Sequence, residues 1–317
     1  MLRTPSQTRP ASLEDLLDTK LLARLDAMDI SSRKVFRGKL KGERRSKKRG
    51  ESVEFADHRP YVRGDDLRHI DWNIYGRLDR LFMKLFLEEE DLSLHLVIDS
   101  SASMECGTPD KFNFIQRAAA ALAYVGLVNY NRVTMTAMGE HAPDEHGEAR
   151  DSGGILSTLR NLRGRRRVRE MGDWLCKLEP YGAGNFTDAA RRIALTRQGK
   201  GVMVILSDFF YKEGYEKGLR YLVGRGYDLV VIQVLSPQEV EPDIGGDLRL
   251  RDVEDGDAAE VTISGPLLKR YKANLAAYCN QLHEFCVRRE ITFITVQSDV
   301  AMDALLLDYL RARGVLR

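Results

Sequence analysis

LSLHLVIDSSAS, residues 92–103, is the stretch that decides the fold. Leu92 to Ile98 reads as a buried strand, and it runs straight into Asp99, Ser100, Ser101, Ala102 and Ser103. Downstream, Lys111 to Val128 is alanine-rich and helical, and Arg132 to Met138 is a second strand. The polar, glycine-containing stretch after it leaves room for a short edge hairpin. Helices are expected at Ile155 to Leu162, Val168 to Leu178, Asp188 to Arg197 and Glu213 to Gly224, with apolar strands at Gly201 to Leu206 and Asp228 to Leu235. Pro266 sits where a helix N1 proline belongs, and Leu267, Leu268, Tyr271, Leu275, Tyr278, Leu282 and Phe285 trace one face beyond it. Ile291 to Val296 is a last strand and Met302 to Arg313 a last helix. Strands that run as apolar, β-branched blocks and alternate with helices predict a doubly wound, mostly parallel α/β sheet.

Upstream the pattern differs. Ser12, with Asp15 three residues on, caps an expected amphipathic helix carrying Leu13, Leu16, Leu17, Leu21, Leu25 and Met28. A basic stretch follows, and Glu51 to Glu90 mixes short strand-like runs with polar turns. The expected division is therefore residues 1–90, a helix plus a small β-containing unit, and residues 91–317, the α/β domain, with an acidic excursion at about 236–264.

Composition bounds the function. The chain has 317 residues, 43% hydrophobic and 30% charged, enough for a sizeable core and too polar for a bilayer. Its longest apolar run, Ala118 to Val128, is far short of the roughly 20 residues a membrane span needs. Cys106, Cys176, Cys279 and Cys286 form no CxxC pair and read as reduced thiols, the last two on the apolar face of one helix. The expected location is the cytoplasm. Lys plus Arg, 49, nearly balance Asp plus Glu, 47, which excludes a uniformly basic nucleic-acid binder. The balance hides segregation: Arg33 to Arg49 nets +9, six of the ten residues from Arg160 to Arg169 are Arg, and Glu239 to Glu260 nets −7. Such segments read as solvated faces or as docking surfaces.

In an open α/β sheet, ligands bind beyond the carboxyl ends of the strands. Asp99, Ser101 and Ser103 follow the first strand, Asp208 follows Gly201 to Leu206, and Thr187 opens a helix after the loop Gly182-Ala183-Gly184-Asn185. Two carboxylates and three hydroxyls form an all-oxygen set, which suits Mg²⁺ rather than zinc. Neutral hydroxyls leave such an ion short of negative charge, so an acidic residue from another protein could complete the shell. Read separately, the same residues are turn and helix caps.

VIDSSASM, GAGNFTDAA and ILSDFF resemble the metal-ion-dependent adhesion site (MIDAS) of a von Willebrand factor A domain, with Asp99, Ser101, Ser103, Thr187 and Asp208 at the ligand positions. GESVEF, RPYVRGDDLRHIDW and LFMKLFLEEE resemble the hallmark segment of the bacterial domain of unknown function family 58. The resemblance runs from about residue 12 to the C-terminus and is most specific from Arg59 to Trp72; Gly76 stands where a small residue such as Ala is expected. It implies a Rossmann-type, von Willebrand factor A-like fold and a cytoplasmic, metal-dependent protein-protein interaction module rather than an enzyme. The implied cofactor is Mg²⁺, with Mn²⁺ or Ca²⁺ as substitutes. The implied partner is a MoxR-type AAA+ ATPase or its client, bringing an acidic residue, in chaperone-like assembly or activation of other proteins. Some relatives carry membrane-spanning helices; none is read here.

Other chemistries fare worse. A haloacid-dehalogenase-like phosphatase needs a second Asp where Ser101 stands, and neither GxxxxGK[ST] nor GxSxG occurs. His141 and His146 lack a third ligand for zinc. His58, His69 and Asp71, among Asp65, Asp66, Arg59, Arg63, Arg68 and Arg77, read as an ion-pair network before a catalytic group. Nucleic-acid binding through the basic segments is an alternative, disfavoured because no aromatics interleave them. Mg²⁺-dependent phosphoester hydrolysis is a weaker alternative.

Overall fold

The computed structural model describes residues 9–32, 54–63, 65–87, 92–141, 153–196, 201–254 and 256–317. Its strands are β1 (Glu54–Pro60), β2 (Phe82–Leu87), β3 (Ser93–Asp99), β4 (Arg132–Met138), β5 (Ile155–Leu162), β6 (Gly201–Ser207), β7 (Asp228–Leu235), β8 (Gly246–Arg251), β9 (Ala258–Ile263) and β10 (Thr292–Gln297). Two compact units emerge: Met1–Lys39 with Leu92–Arg317, and Leu40–Asp91.

The larger unit is built on a six-stranded sheet in the order β10-β7-β6-β3-β4-β5. Every pairing is parallel except β4 with β5. Side chains of a strand alternate between faces, so a strand apolar at every position needs cover on both. β3 shows this directly. Leu94, Leu96 and Ile98 belong to one buried core, shared with the helix Lys111–Val128, whereas Val97 belongs to a second, shared with the helices Phe186–Leu195 and Glu216–Val223. The expected doubly wound sheet is therefore present. β3 and β6 approach so closely at their start that a Cβ on Gly201 would fall 1.9 Å from the Ser93 carbonyl oxygen.

Three expectations need correction. Ile155–Leu162 is an antiparallel edge strand, not a helix. Its apolar residues at 155, 156, 159 and 162 mimic helical spacing because two register shifts against β4 break the strict alternation of a strand. The N-terminal helix is two short ones, Leu13–Leu16 and Thr19–Leu25, interrupted where Asp18 caps the second through the Leu21 N–H at 2.7 Å. Finally, these helices do not go with the β-containing unit: Leu16, Leu17, Leu21, Leu25, Met28 and Ile30 are buried in the main core. The acidic excursion holds a short helix, Pro237–Val240, and the antiparallel hairpin of β8 and β9. The last helix is Met302–Ala304 followed by a wider π-type turn, Leu305–Leu310.

The smaller unit pairs β1 with β2 antiparallel and carries the helix Trp72–Leu78. All four cysteines are free thiols; Cys286 is buried and Cys279 half-buried. Among the described residues no helix is long and apolar enough to cross a membrane.

Candidate metal centre

The site begins where β3 stops. Asp99 ends the strand wholly buried, and its Oδ1 accepts from the Ser101 backbone N–H at 3.0 Å and the Ser101 hydroxyl at 2.8 Å. An Asp with a Ser two residues on makes such a turn from local geometry alone. Ser103, also buried, lies in the 3-10 turn Ala102–Met104 with its Oγ 3.0 Å from Ser101 Oγ.

The second oxygen of Asp99 is held from β6. Ser207 donates to Oδ2 at 2.6 Å and Tyr211 at 2.7 Å, and these two hydroxyl oxygens are 2.8 Å apart. Tyr211 reaches back because the chain turns sharply after β6, with Phe209 at φ 62°. A left-handed conformation costs a bulky residue about 1–3 kcal/mol. Phe209 is compensated: it is fully buried, its N–H donates to Ser207 Oγ at 2.8 Å, and its carbonyl accepts from the Tyr278 hydroxyl.

Asp208, the residue after β6, is 2% exposed. Because Ile98 pairs with Leu206 across parallel strands, Asp99 and Asp208 occupy the same end of adjacent strands. The strand order runs outward from β3 in both directions, which makes this the switch point of the sheet. Asp208 Oδ1 accepts the Phe210 N–H at 3.1 Å, and Oδ2 accepts Lys111 Nζ at 2.7 Å. Lys111 is wholly buried and makes a second 2.7 Å contact with Glu239. Burial alone would lower its pKa; the carboxylates of Asp208 and Glu239 outweigh burial and hold it above its ordinary value. Asp99 is raised above the usual carboxylate range by burial and by the charge of Asp208, with the donors from Ser207, Ser101 and Tyr211 opposing. Burial and the neighbouring Asp99 push the Tyr211 phenol well above 10.0, so it stays a donor.

The third segment is brought in by its backbone. Ala102 N–H donates to Gly182 O and Tyr181 N–H to Ser100 O, both at 2.9 Å. A Cβ on Gly184 would sit 3.0 Å from the Tyr211 ring and 3.3 Å from Ser101 Cβ. Asn185 caps the following helix through the Asp188 N–H at 3.0 Å, leaving Thr187 half-buried in its first turn. Phe186 stacks on Tyr211 with centroids 5.0 Å apart. The hydrogen-bonded network thus joins Asp99, Ser101 and Ser103, places Asp208 beside them, and stops short of Thr187.

Lys111 and its second partner Glu239, the two donors to Asp99, Ser207 and Tyr211, and the nearby Glu254 escaped the sequence reading. Glu254 lines the same cleft as Ser103, and burial raises its pKa to about 7, with the Ser103 hydroxyl opposing and the charges of Asp99, Asp208 and Asp252 adding to the effect. Among the described residues no group of three or more His, Cys, Asp or Glu side chains forms a metal centre, so a cation here would depend on the hydroxyls as well. The donor set fits one: every donor is a hard oxygen, and the ammonium of Lys111 is shared between Asp208 and Glu239, which leaves the buried Asp99 without a cationic partner.

Elsewhere, His58 Nε2 lies 3.0 Å from Asp71 Oδ2, Lys84 lies 3.4 Å from the same oxygen, and Asp71 caps the helix Trp72–Leu78. His58 above all depresses Asp71 to about 2. With Arg59–Asp65 and Arg68–Asp66, both at 2.7 Å, this is the expected ion-pair network. The side chain of His69, His146 and the basic segment 33–49 lie outside the described residues. In the segment 160–169, Arg165 pairs with Asp26 and Arg167 with Glu170, so part of that charge is spent internally.

Residues 57–280 match the family described as Protein of unknown function DUF58. Uncharacterized protein Mb1516 of Mycobacterium bovis and uncharacterized protein Rv1480 of Mycobacterium tuberculosis are each 28% identical to this chain over 284 residues, 87% of it and 85% of theirs. Among solved structures, the conserved hypothetical protein BatB from Bacteroides thetaiotaomicron covers 70% of this chain and 98% of its own at 12% identity, with a TM-score of 0.41.

Proposed function

The chain belongs to the DUF58 family, and we propose that it is a metal-dependent protein-interaction module rather than an enzyme. One observation carries this reading: a buried Asp99 with Ser101 and Ser103 hydrogen-bonded in series, beside Asp208 on the neighbouring strand end. In this reading Asp99, Ser101, Ser103, Thr187 and Asp208 hold Mg²⁺, directly or through water. The ion supplies an electrophilic position that an acidic side chain of a partner can occupy. Ser207 and Tyr211 orient Asp99, and Lys111 fixes Asp208, so the site is organised before a partner arrives.

The partner proposed from the family resemblance is a MoxR-type AAA+ ATPase or its client, met in the cytoplasm. The test is affinity of the full chain for the cognate ATPase with and without EDTA, and with Asp99→Asn. Binding lost in both cases supports the reading. Equal affinity with and without metal defeats it, and binding that ignores EDTA but collapses with salt favours the basic segments instead.

A further inference from the structure

We propose that a cleft of the larger unit, at the end of the sheet opposite to the candidate metal centre, binds a phosphate group, free or as a small phosphomonoester. The site does not depend on the metal-binding reading above.

Side chains two apart on a strand share a face. On the face that carries Val97, β6 and β7 contribute Met203, Ile205, Leu229 and Val231 to the second core. At the start of β3 and β4 the same face turns polar: Ser93 lies opposite Arg132, and His95 opposite Thr134. β5 continues it, with Thr158 opposite Thr136. Between the pairs Leu159–Met135 and Leu162–Val133, two residues of β5, Arg160 and Asn161, stand against the single Thr134. A bulge of this kind re-aims a side chain. Here Asn161 takes φ 57° and its N–H donates to Thr134 Oγ1 at 3.5 Å.

The cleft over these residues has a volume of about 370 Å³, within the range of small-ligand sites. Arg132, Arg160 and Arg192 line it, and none of its described lining residues is acidic. Among the described residues no carboxylate pairs with Arg132 or Arg160. His95 is buried beside them, its Nε2 2.9 Å from Thr136 Oγ1 and its ring 6.4 Å from that of Tyr227. After burial, the charge of Arg160 helps to keep this imidazole neutral, so the positive field reaches the floor of the cleft.

Like charges gathered around a concave surface repel one another and focus their field on an anion. Guanidinium groups donate in pairs to phosphate oxygens, and the threonine hydroxyls between them add single donors. Three arginines from three elements, β4, β5 and the helix Phe186–Leu195, suit a group with three terminal oxygens better than the two of a carboxylate. Ile155, Leu195 and Tyr227 complete the wall with apolar and aromatic surface, which fits the organic part of an ester.

The experiment is calorimetric titration of the full chain at neutral pH with inorganic phosphate and, separately, phenyl phosphate, each with and without EDTA. Arg132→Gln and Arg160→Gln, both at exposed positions, are compared with wild type and with Arg169→Gln, which removes an exposed arginine outside the cleft; a melting curve checks the folding of each. Wild type is expected to bind one equivalent saturably, with or without EDTA. Arg132→Gln and Arg160→Gln should each weaken binding about 10- to 100-fold, and Arg169→Gln should leave it unchanged. Tighter binding of phenyl phosphate supports the site as one for an ester, and equal binding supports it as one for free phosphate. No saturable binding of either probe, equal weakening in Arg169→Gln, or loss of binding in EDTA overturns the proposal. The metal-binding reading survives the first two of these results, because its own test reads affinity for a protein partner.

Discussion

Lys111 Nζ donates to Asp208 Oδ2 across 2.7 Å with neither side chain exposed by more than 2%. A charged pair buried to this degree, with Glu239 as a third member at 2.7 Å, fixes where the end of β6 lies relative to the start of the helix Lys111–Val128.

Lys111→Met would leave two buried carboxylates uncompensated. Removing one partner of a buried pair costs about 3 to 5 kcal/mol, and urea denaturation should show a loss of that size. A change below about 1 kcal/mol would mean that the pair is idle.

Divalent metal should stabilise the fold, since a ligand that binds only the native state adds about 2.7 kcal/mol at a hundredfold excess over its Kd. Melting with Mg²⁺ or Mn²⁺ should rise by several degrees, return to baseline on chelation, and stay flat in Asp99→Asn. A wild-type curve indifferent to both ions argues against a bound cation.

His95 gives a pH dependence of stability. Burial first, and the charge of Arg160 second, lower its pKa from 6.5 to about 4, and its Nε2 lies 2.9 Å from Thr136 Oγ1. The folded pKa is depressed, so its contribution is complete above pH 6.5 and disappears as pH falls through about 4. The window amounts to about 3 kcal/mol. His95→Gln should flatten the decline between pH 7 and pH 4 in urea titrations; an unchanged slope assigns the decline to other groups.

Leu25 tests the domain division. It is fully buried in the core of the main sheet although it lies far upstream of β3. Leu25→Ala should cost about 2 to 5 kcal/mol in the cooperative unfolding of the larger unit. Loss confined to a separate, minor transition would restore the grouping of residues 1–90.

The parts of the fold legible in sequence were those with one dominant period. Lys111–Val128, Arg132–Met138 and Asp228–Leu235 have the bounds expected of them, because each is buried along nearly its whole length. Ile155–Leu162 misled because its first five residues are only half-buried and its ladder is twice shifted. The local half of the site was readable, since Asp99 and Ser101 bond within one turn. Tyr211 and Lys111 were not: their partners lie 112 and 97 residues away. Glu254 was visible only as one acid in a charged run, and that it lines a cleft with Ser103 depends on the hairpin of β8 and β9.

The parallel pairing of β3 with β6 has a final consequence. Asp99 and Asp208 hang from one hydrogen-bonded ladder, with Ile98 opposite Leu206, so their separation is set by the sheet, whereas Glu254 hangs from a two-stranded appendage. The two carboxylates therefore share one frame, to which the hairpin does not belong. Substitutions confined to residues 246–263 should accordingly leave the spacing of Asp99 and Asp208 unaltered.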